Sequence, residues 1–541
     1  MEGIARNAME MMKTDIRTST TSMTSIPLPL KFLRPHFGTI DKHFASMKPS
    51  DNKLFLADIL AVLAMAIDTD STKALLDYKL QGNQANVGEW GHEFVKSLSA
   101  EIGKEFNSRQ EADKSVDDLL KLVADIIPFN MSHNAYYEAV DLLIEVERLQ
   151  DLHPVIDAHN HTQICRYLRR CSDYISDPEE REQMLKIAFD AYLQHNSHSD
   201  AMRVALKLFN RELMLKAINS AEDEGVKKQL CLMLSTQRIV LAELEDEEEL
   251  YELMGNVPLN QHFLDLAKEL DAEAPKSPED IYKSHLVEGG QKKAGSLTQT
   301  VDSARQNLAS SFVNAFVNCG FGKDALITPE GSDWLYKNKT HGMLSATASL
   351  GMVNLWDVDQ GFNAMDKYTH NNQTMIEAGS YLAWGMLSSG ITSDMNAAFA
   401  LLEEHVTSEK EEIKVAAIYG LGLSYAGQSN EDVLDLLVPL MVEEGATMEV
   451  VSMIVLSLGL VFCGTGNDGL VGSILETFLE RSETDLNDPT ARIMATGLGL
   501  VFIGVGEMCE GTLEAVKAIE HPIGRYLELT IETCAYMGTN K

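Results

Sequence analysis

The chain has 541 residues, 45% hydrophobic and 23% charged, with 81 Asp and Glu against 45 Lys and Arg, a formal net charge of −36. Such a chain folds, since it is too apolar for a disordered acidic segment, and its charge disfavours nucleic acid and membrane partners by repelling phosphate backbones and anionic lipid. Seven scattered cysteines (165, 171, 231, 319, 463, 509 and 534) form neither a disulfide framework nor a Cys-x-x-Cys metal site, which fits a reducing compartment.

Residues 1–20 mix charge with Ser and Thr and lack the apolar run of a signal peptide, so a mobile tail is expected there. From 21 to 270 the segments 57–67, 116–127, 137–149 and 201–218 place apolar residues three and four apart, as helices do. Breaks are expected at Ile127-Pro128, Asp177-Pro178 and Pro258, giving a domain of stacked helical hairpins. A breaker-rich stretch over 271–300, with Pro275, Pro278, Gly289, Gly290 and Gly295, predicts an exposed linker, followed by a helical connection over 301–340.

Self-similarity dominates residues 341–541. Gly351, Gly385, Gly422, Gly459 and Gly499 recur at intervals of 34, 37, 37 and 40, and Thr533 takes the slot after them. A second small turn follows three of these glycines, at Gly427, Gly464 and Gly504, and then an amphipathic segment such as 433–442. Each unit therefore reads as helix, tight turn, helix. The first helix is nearly uncharged and must be buried on all sides; the second has an acidic face and forms an outer wall. This region carries 8 Lys and Arg against 28 Asp and Glu, more acid-biased than the rest of the chain. The longest uncharged stretch, 450–467, is interrupted by Gly459, Gly464 and Gly466, so it reads as repeat packing and not as a membrane span.

Three motifs offer enzyme readings. Asp157-Ala-His159-Asn-His161 has the Asp-x-His-x-His spacing of metal-dependent hydrolases, yet no strand and helix alternation follows to complete a barrel. Gly464-Thr-Gly466-Asn-Asp-Gly469 has dinucleotide-loop spacing but sits in a repeat turn, not after a strand. Gly320-Phe-Gly322-Lys323 lacks the other P-loop positions. The acidic run 245–249 reads as a solvated helix face.

Several longer segments carry a resemblance: Ser25-Ile-Pro-Leu-Pro-Leu-Lys-Phe-Leu-Arg-Pro-His-Phe-Gly38, Pro278-Glu-Asp-Ile-Tyr-Lys-Ser-His-Leu286, the stretch 301–318, and Trp334-Leu-Tyr-Lys-Asn-Lys339. From about Arg17 onward the chain resembles the large non-ATPase scaffold subunits of the proteasome regulatory particle, whose proteasome/cyclosome repeats match the array above. The resemblance implies an all-α fold, an α-solenoid of helical hairpins whose repeats close, as an armadillo-like superhelix, into a toroid of two helical rings. It implies no catalysis and no cofactor. Implied partners are proteasomal ATPase and other base subunits, ubiquitin chains, ubiquitin-like domains of shuttle factors and a deubiquitinase, in cytoplasm and nucleus. The sequence departs from the family in lacking its long acidic leader and in stopping within the repeats, so an incomplete toroid is expected over 341–541.

Carried over residue by residue, two acids of the family's ubiquitin-receptor helix fall on Glu476 and Glu480. A third falls on Gly469, with Asp468 beside it, so a weakened site is expected. On a helical wheel Leu470, Ile474, Leu475, Phe478 and Leu479 form the expected buried stripe. The deubiquitinase site carries over to Asp359 and Asn363.

Overall fold

The computed structural model describes residues 2–19, 28–67, 74–83, 86–282, 303–393, 395–443 and 445–538. Among them all regular structure is helical, and no helix is long and apolar enough to cross a membrane. The chain divides into two compact units, 1–230 and 231–541.

In the first unit, helices pair through apolar stripes. The helix Pro178–Gln194 packs against both His161–Cys171 and His198–Lys207, and buries Met184, Leu185, Ile187, Ala188, Phe189, Ala191 and Tyr192. Its start is fixed by Asp177, whose carboxylate accepts the Glu179 amide at 3.1 Å, and by Pro178, which has no amide to leave orphaned. Three expectations differ from the structure. The first residues form a helix, Glu2–Ser19, with Met9 and Ile16 buried, instead of a tail. Pro128 lies inside the helix Asp117–Ser132 instead of ending it. The segment 201–218 is two helices, His198–Lys207 and Arg211–Asn219, broken where Phe209 turns to φ +48° and Asn210 caps the Leu213 amide at 3.1 Å. The apolar spacing runs through that break, which is why periodicity misses it.

In the second unit the helices His341–Val353, Thr374–Leu387, Glu411–Ser424, Met448–Val461, Ala491–Val501 and Pro522–Ala535 stack in sequence, each on the next. The repeat glycines are the contact points. A side-chain carbon on Gly351 would lie 2.6 Å from the Ala383 carbonyl oxygen, on Gly422 2.6 Å from Ser457 Cβ, on Gly459 2.8 Å from the Gly497 carbonyl carbon, and on Gly499 2.7 Å from Thr530 Cγ2. The stack is also laced by backbone. Each turn donates to the last carbonyls of the next helix: Gly427 to Leu460 (2.8 Å), Gly464 to Leu500, Gly466 to Val501 and Gly504 to Cys534 (each 3.0 Å). Carbonyls that a helix end leaves without intrahelical partners are thus satisfied by the preceding repeat. Gly320 and Gly322 do the same for Met352 and Val353, at 3.0 and 2.8 Å. The helix Ser303–Val317 therefore begins the same array.

Residues 231–269 also join this unit, and they do so through polar side chains on the repeat turns. Asn260 Nδ2 donates to the carbonyls of Gly320 and Leu355, both at 3.3 Å. Asn256 donates to Gly390 at 3.1 Å, and Arg238 to Ala426 at 2.5 Å. The compact units accordingly part at 230, upstream of the expected linker, of which 283–300 lie outside the described residues.

Candidate functional site

The helix Asp468–Glu480 forms part of the outer layer of the repeat array, and Asn467 starts it by accepting the Leu470 amide at 3.0 Å. It buries Leu470, Val471, Ile474, Thr477 and Phe478. Asp468, Gly469, Glu476 and Glu480 are exposed. Leu479 is not part of the buried stripe: it is 67% exposed, between the two glutamates, and Leu475 is only half-buried. Thr477 takes the core position instead, its hydroxyl satisfied by the Ser473 carbonyl at 2.8 Å. The exposed face thus runs through Gly469, Gly472, Glu476, Leu479 and Glu480.

Helix stability does not account for the two acids. They lie in the C-terminal half, where the helix dipole disfavours anions, and neither has a cationic partner among the described residues. Arg481 ties this end to the preceding outer helix, Glu431–Met441: Nη1 donates to the Ala446 carbonyl at 2.8 Å and Nη2 to Met441 at 3.4 Å. There Val442, 54% exposed, and Glu443 repeat the apolar and acidic pair of Leu479 and Glu480 at a spacing of 37. Glu443 pairs with Lys414 at 3.9 Å, whereas Glu476 and Glu480 stay free to engage an apolar patch ringed by cations around the exposed leucine and valine.

Asp359 and Asn363 lie elsewhere in the array, at the start of Gly361–Thr369. Both are exposed, and Asn363 Nδ2 donates to the Asp359 carbonyl at 3.2 Å. Asp359 borders a cavity of about 110 Å³ lined by Phe362, Ile391, Met395 and Tyr425. The Tyr425 phenol is pushed up to about 12 by burial, and it accepts the Phe399 amide at 3.2 Å.

The motifs with enzyme-like spacing are engaged in local structure. The Asp157 carboxylate accepts the amides of His159 and Asn160 at 2.8 and 2.9 Å, closing its own turn, and His161 stacks on His195 with ring centres 4.6 Å apart. Among the described residues no group of three or more His, Cys, Asp or Glu is arranged to hold a metal ion. The amides of Gly464 and Gly466, which a phosphate would need, are already given to Leu500 and Val501.

The family model for the RPN1 N-terminal domain matches residues 2–287, and the proteasome/cyclosome repeat model matches 416–450. The chain belongs to the RPN1 family. It is 42% identical over 540 residues to 26S proteasome non-ATPase regulatory subunit 2 of Dictyostelium discoideum, covering 99% of this chain and 59% of that protein. It is 40% identical to homolog A of that subunit in Arabidopsis thaliana (99% and 61% covered) and to regulatory subunit rpn1 of Schizosaccharomyces pombe (98% and 59%). The RPN1-family chain thus spans about three fifths of the length of these curated relatives. The matched repeat runs from within the helix Glu411–Ser424, through the outer helix, into Met448–Val461, so it is one rung of the observed stack. Leu479 and Val442 are the surface residues that sequence reasoning missed; recurrence of an apolar and acidic pair 37 residues apart is the signal that finds them.

Proposed function

We propose that this RPN1-family chain is a non-catalytic scaffold and receptor of the proteasome regulatory particle, in cytoplasm and nucleus, that binds ubiquitin and ubiquitin-like domains for degradation of ubiquitinated proteins. Membership of the family and the names of the relatives support the regulatory-subunit role. The observation that carries the receptor role is Leu479 standing exposed between unpaired Glu476 and Glu480, with Val442 and Glu443 tied beside them through Arg481. Such a surface complements a ubiquitin fold whose apolar patch has a basic rim. Asp468 and Gly469 lie at the start of the same helix, and Asp359 and Asn363 are assigned to deubiquitinase docking. ATPase subunits and other base subunits are the partners of the scaffold.

The test of the scaffold role is co-purification. A tagged chain expressed in its own cells brings down proteasomal ATPase subunits; recovery of the chain alone would sink the assignment to the regulatory particle. The receptor role is tested by titrating a labelled ubiquitin-like domain against wild type and the double variant Glu476→Arg with Glu480→Arg, where equal affinities would contradict it.

A further inference from the structure

In a chain of net charge −36, two helices of the first unit carry a patch of opposite sign. Arg166, Arg169 and Arg170 of His161–Cys171 have no acidic partner among the described residues. Arg203 of His198–Lys207 is exposed and pairs only with its own helix, Nη1 lying 2.9 Å from Asp200. Arg166 and Arg169 lower the Tyr192 phenol and Asp200, the partner of Arg203, raises it, so charges of both helices lie near that ring on the helix between them. Lys207 fixes this arrangement. Its Nζ donates to the Arg169 carbonyl at 3.0 Å, to Ser172 Oγ at 3.1 Å and to Asp173 Oδ1 at 2.5 Å, holding the two helix ends together. Cations in a last helical turn offset the helix dipole, which accounts for Arg169 and Arg170. It gives no reason for Arg166 and Arg203, nearer the middle of their helices.

The same ends expose two aromatic side chains, Tyr174 at 88% and Phe209 at 75%. Phe209 has φ +48°, a left-handed conformation that strains a bulky side chain; Asn and Asp hold it at most other such places among the described residues, and Glu147, Arg238 and Trp356 share it. An exposed ring kept at a strained position, where Asn or Gly would relieve the strain, points to a use for the ring.

We propose that Arg166, Arg170 and Arg203, with Tyr174 and Phe209, form a docking site for an acidic protein segment that also carries apolar side chains. The guanidiniums pair with its carboxylates, and the rings cover its apolar residues. A long nucleic acid would extend past the patch onto acidic surface, whereas a short acidic segment is contained within it. The site is independent of the ubiquitin-type surface on the repeats.

The test uses the full chain and fluorescence anisotropy with a short labelled peptide of Asp, Glu and Leu. Wild type binds it, less tightly as salt is raised. Arg166→Glu with Arg170→Glu weakens binding about tenfold or more, by replacing attraction with repulsion. Phe209→Gly removes the strain, so the melting temperature holds or rises, while affinity falls about threefold through loss of the ring. Several results overturn the proposal: no binding to wild type, equal affinity for wild type and the double Glu variant, Phe209→Gly folding normally with unchanged affinity, or tighter binding to a single-stranded RNA of matched length.

Discussion

Gly385 and Gly420 face one another across two consecutive inner helices so closely that a side-chain carbon on Gly385 would lie 2.5 Å from the Gly420 carbonyl carbon. Backbone stands against backbone there, and no rotamer change can make room. Gly385→Ala therefore gains helix propensity but forces the helices apart, at a net cost of about 1–3 kcal/mol. Gly472, in the exposed face of Asp468–Glu480, has open space around its missing side chain. Gly472→Ala is stabilising by up to ~1 kcal/mol. Urea melts of the two variants should move in opposite directions.

Lys79 is buried, and its Nζ lies 3.0 Å from Asp58 Oδ1 and 2.5 Å from the Asn83 carbonyl. Burial raises the Asp58 carboxyl more than Lys79 lowers it. Lys79→Met leaves that carboxyl buried without its cation, at a cost of about 3–5 kcal/mol at neutral pH. Adding Asp58→Leu removes the uncompensated charge and should recover much of the loss. A double-mutant cycle on melting of the full chain measures this.

His405 stacks on Tyr381, ring centres 4.1 Å apart, and burial holds its imidazole below the ordinary value of 6.5 although Glu404 and Glu377 pull it upward. The unfolded chain therefore takes up a proton at this position at higher pH than the folded one. The stability His405 gives is complete above 6.5 and is lost as pH falls through that value toward the folded one. His405→Phe keeps the stacking and cannot charge. Between pH 7 and about 5 it should lose less stability than wild type, and parallel losses would rule out this source of pH dependence.

The repeat was legible in sequence because close helix contact admits little but small residues, so the period is written in Gly351, Gly385, Gly422, Gly459 and Gly499. Glu476 and Glu480 were picked out by family resemblance and are exposed, while the exposure of Leu479 was not legible. A helical wheel assigns the core to the leucine and leaves Thr477 outside, because it does not register the bond from the threonine hydroxyl to the Ser473 carbonyl. Arg238, Asn256 and Asn260 left no trace either. They hold residues 231–269 on the repeat turns through backbone carbonyls, and such contacts have no hydrophobic period. Positive φ at Phe209 was equally hidden, since Phe continues the apolar spacing that predicted one helix over 201–218.

Gly469 lies near the start of the candidate helix, immediately before the buried Leu470, and its missing side chain would meet only Asn467 Oδ1 at an ordinary 3.4 Å. An acid fits there and is favoured by the helix dipole. Gly469→Asp should preserve folding and strengthen binding to a ubiquitin-like domain by extending the acidic edge toward the N-terminus. Titration beside wild type checks it, and equal affinity would remove position 469 from the surface.

The most direct measurement is titration of a labelled ubiquitin-like domain against wild type, the double variant Glu476→Arg with Glu480→Arg, and Leu479→Ser, with circular dichroism as the folding control. The three side chains are exposed, so folding should be nearly unchanged in both variants. Affinity should fall by tenfold or more, about 1.4 kcal/mol, in the charge reversal, and wild-type binding should weaken with salt. Leu479→Ser should weaken binding without changing its salt dependence. Equal affinity of wild type and both folded variants would contradict the receptor role of this helix.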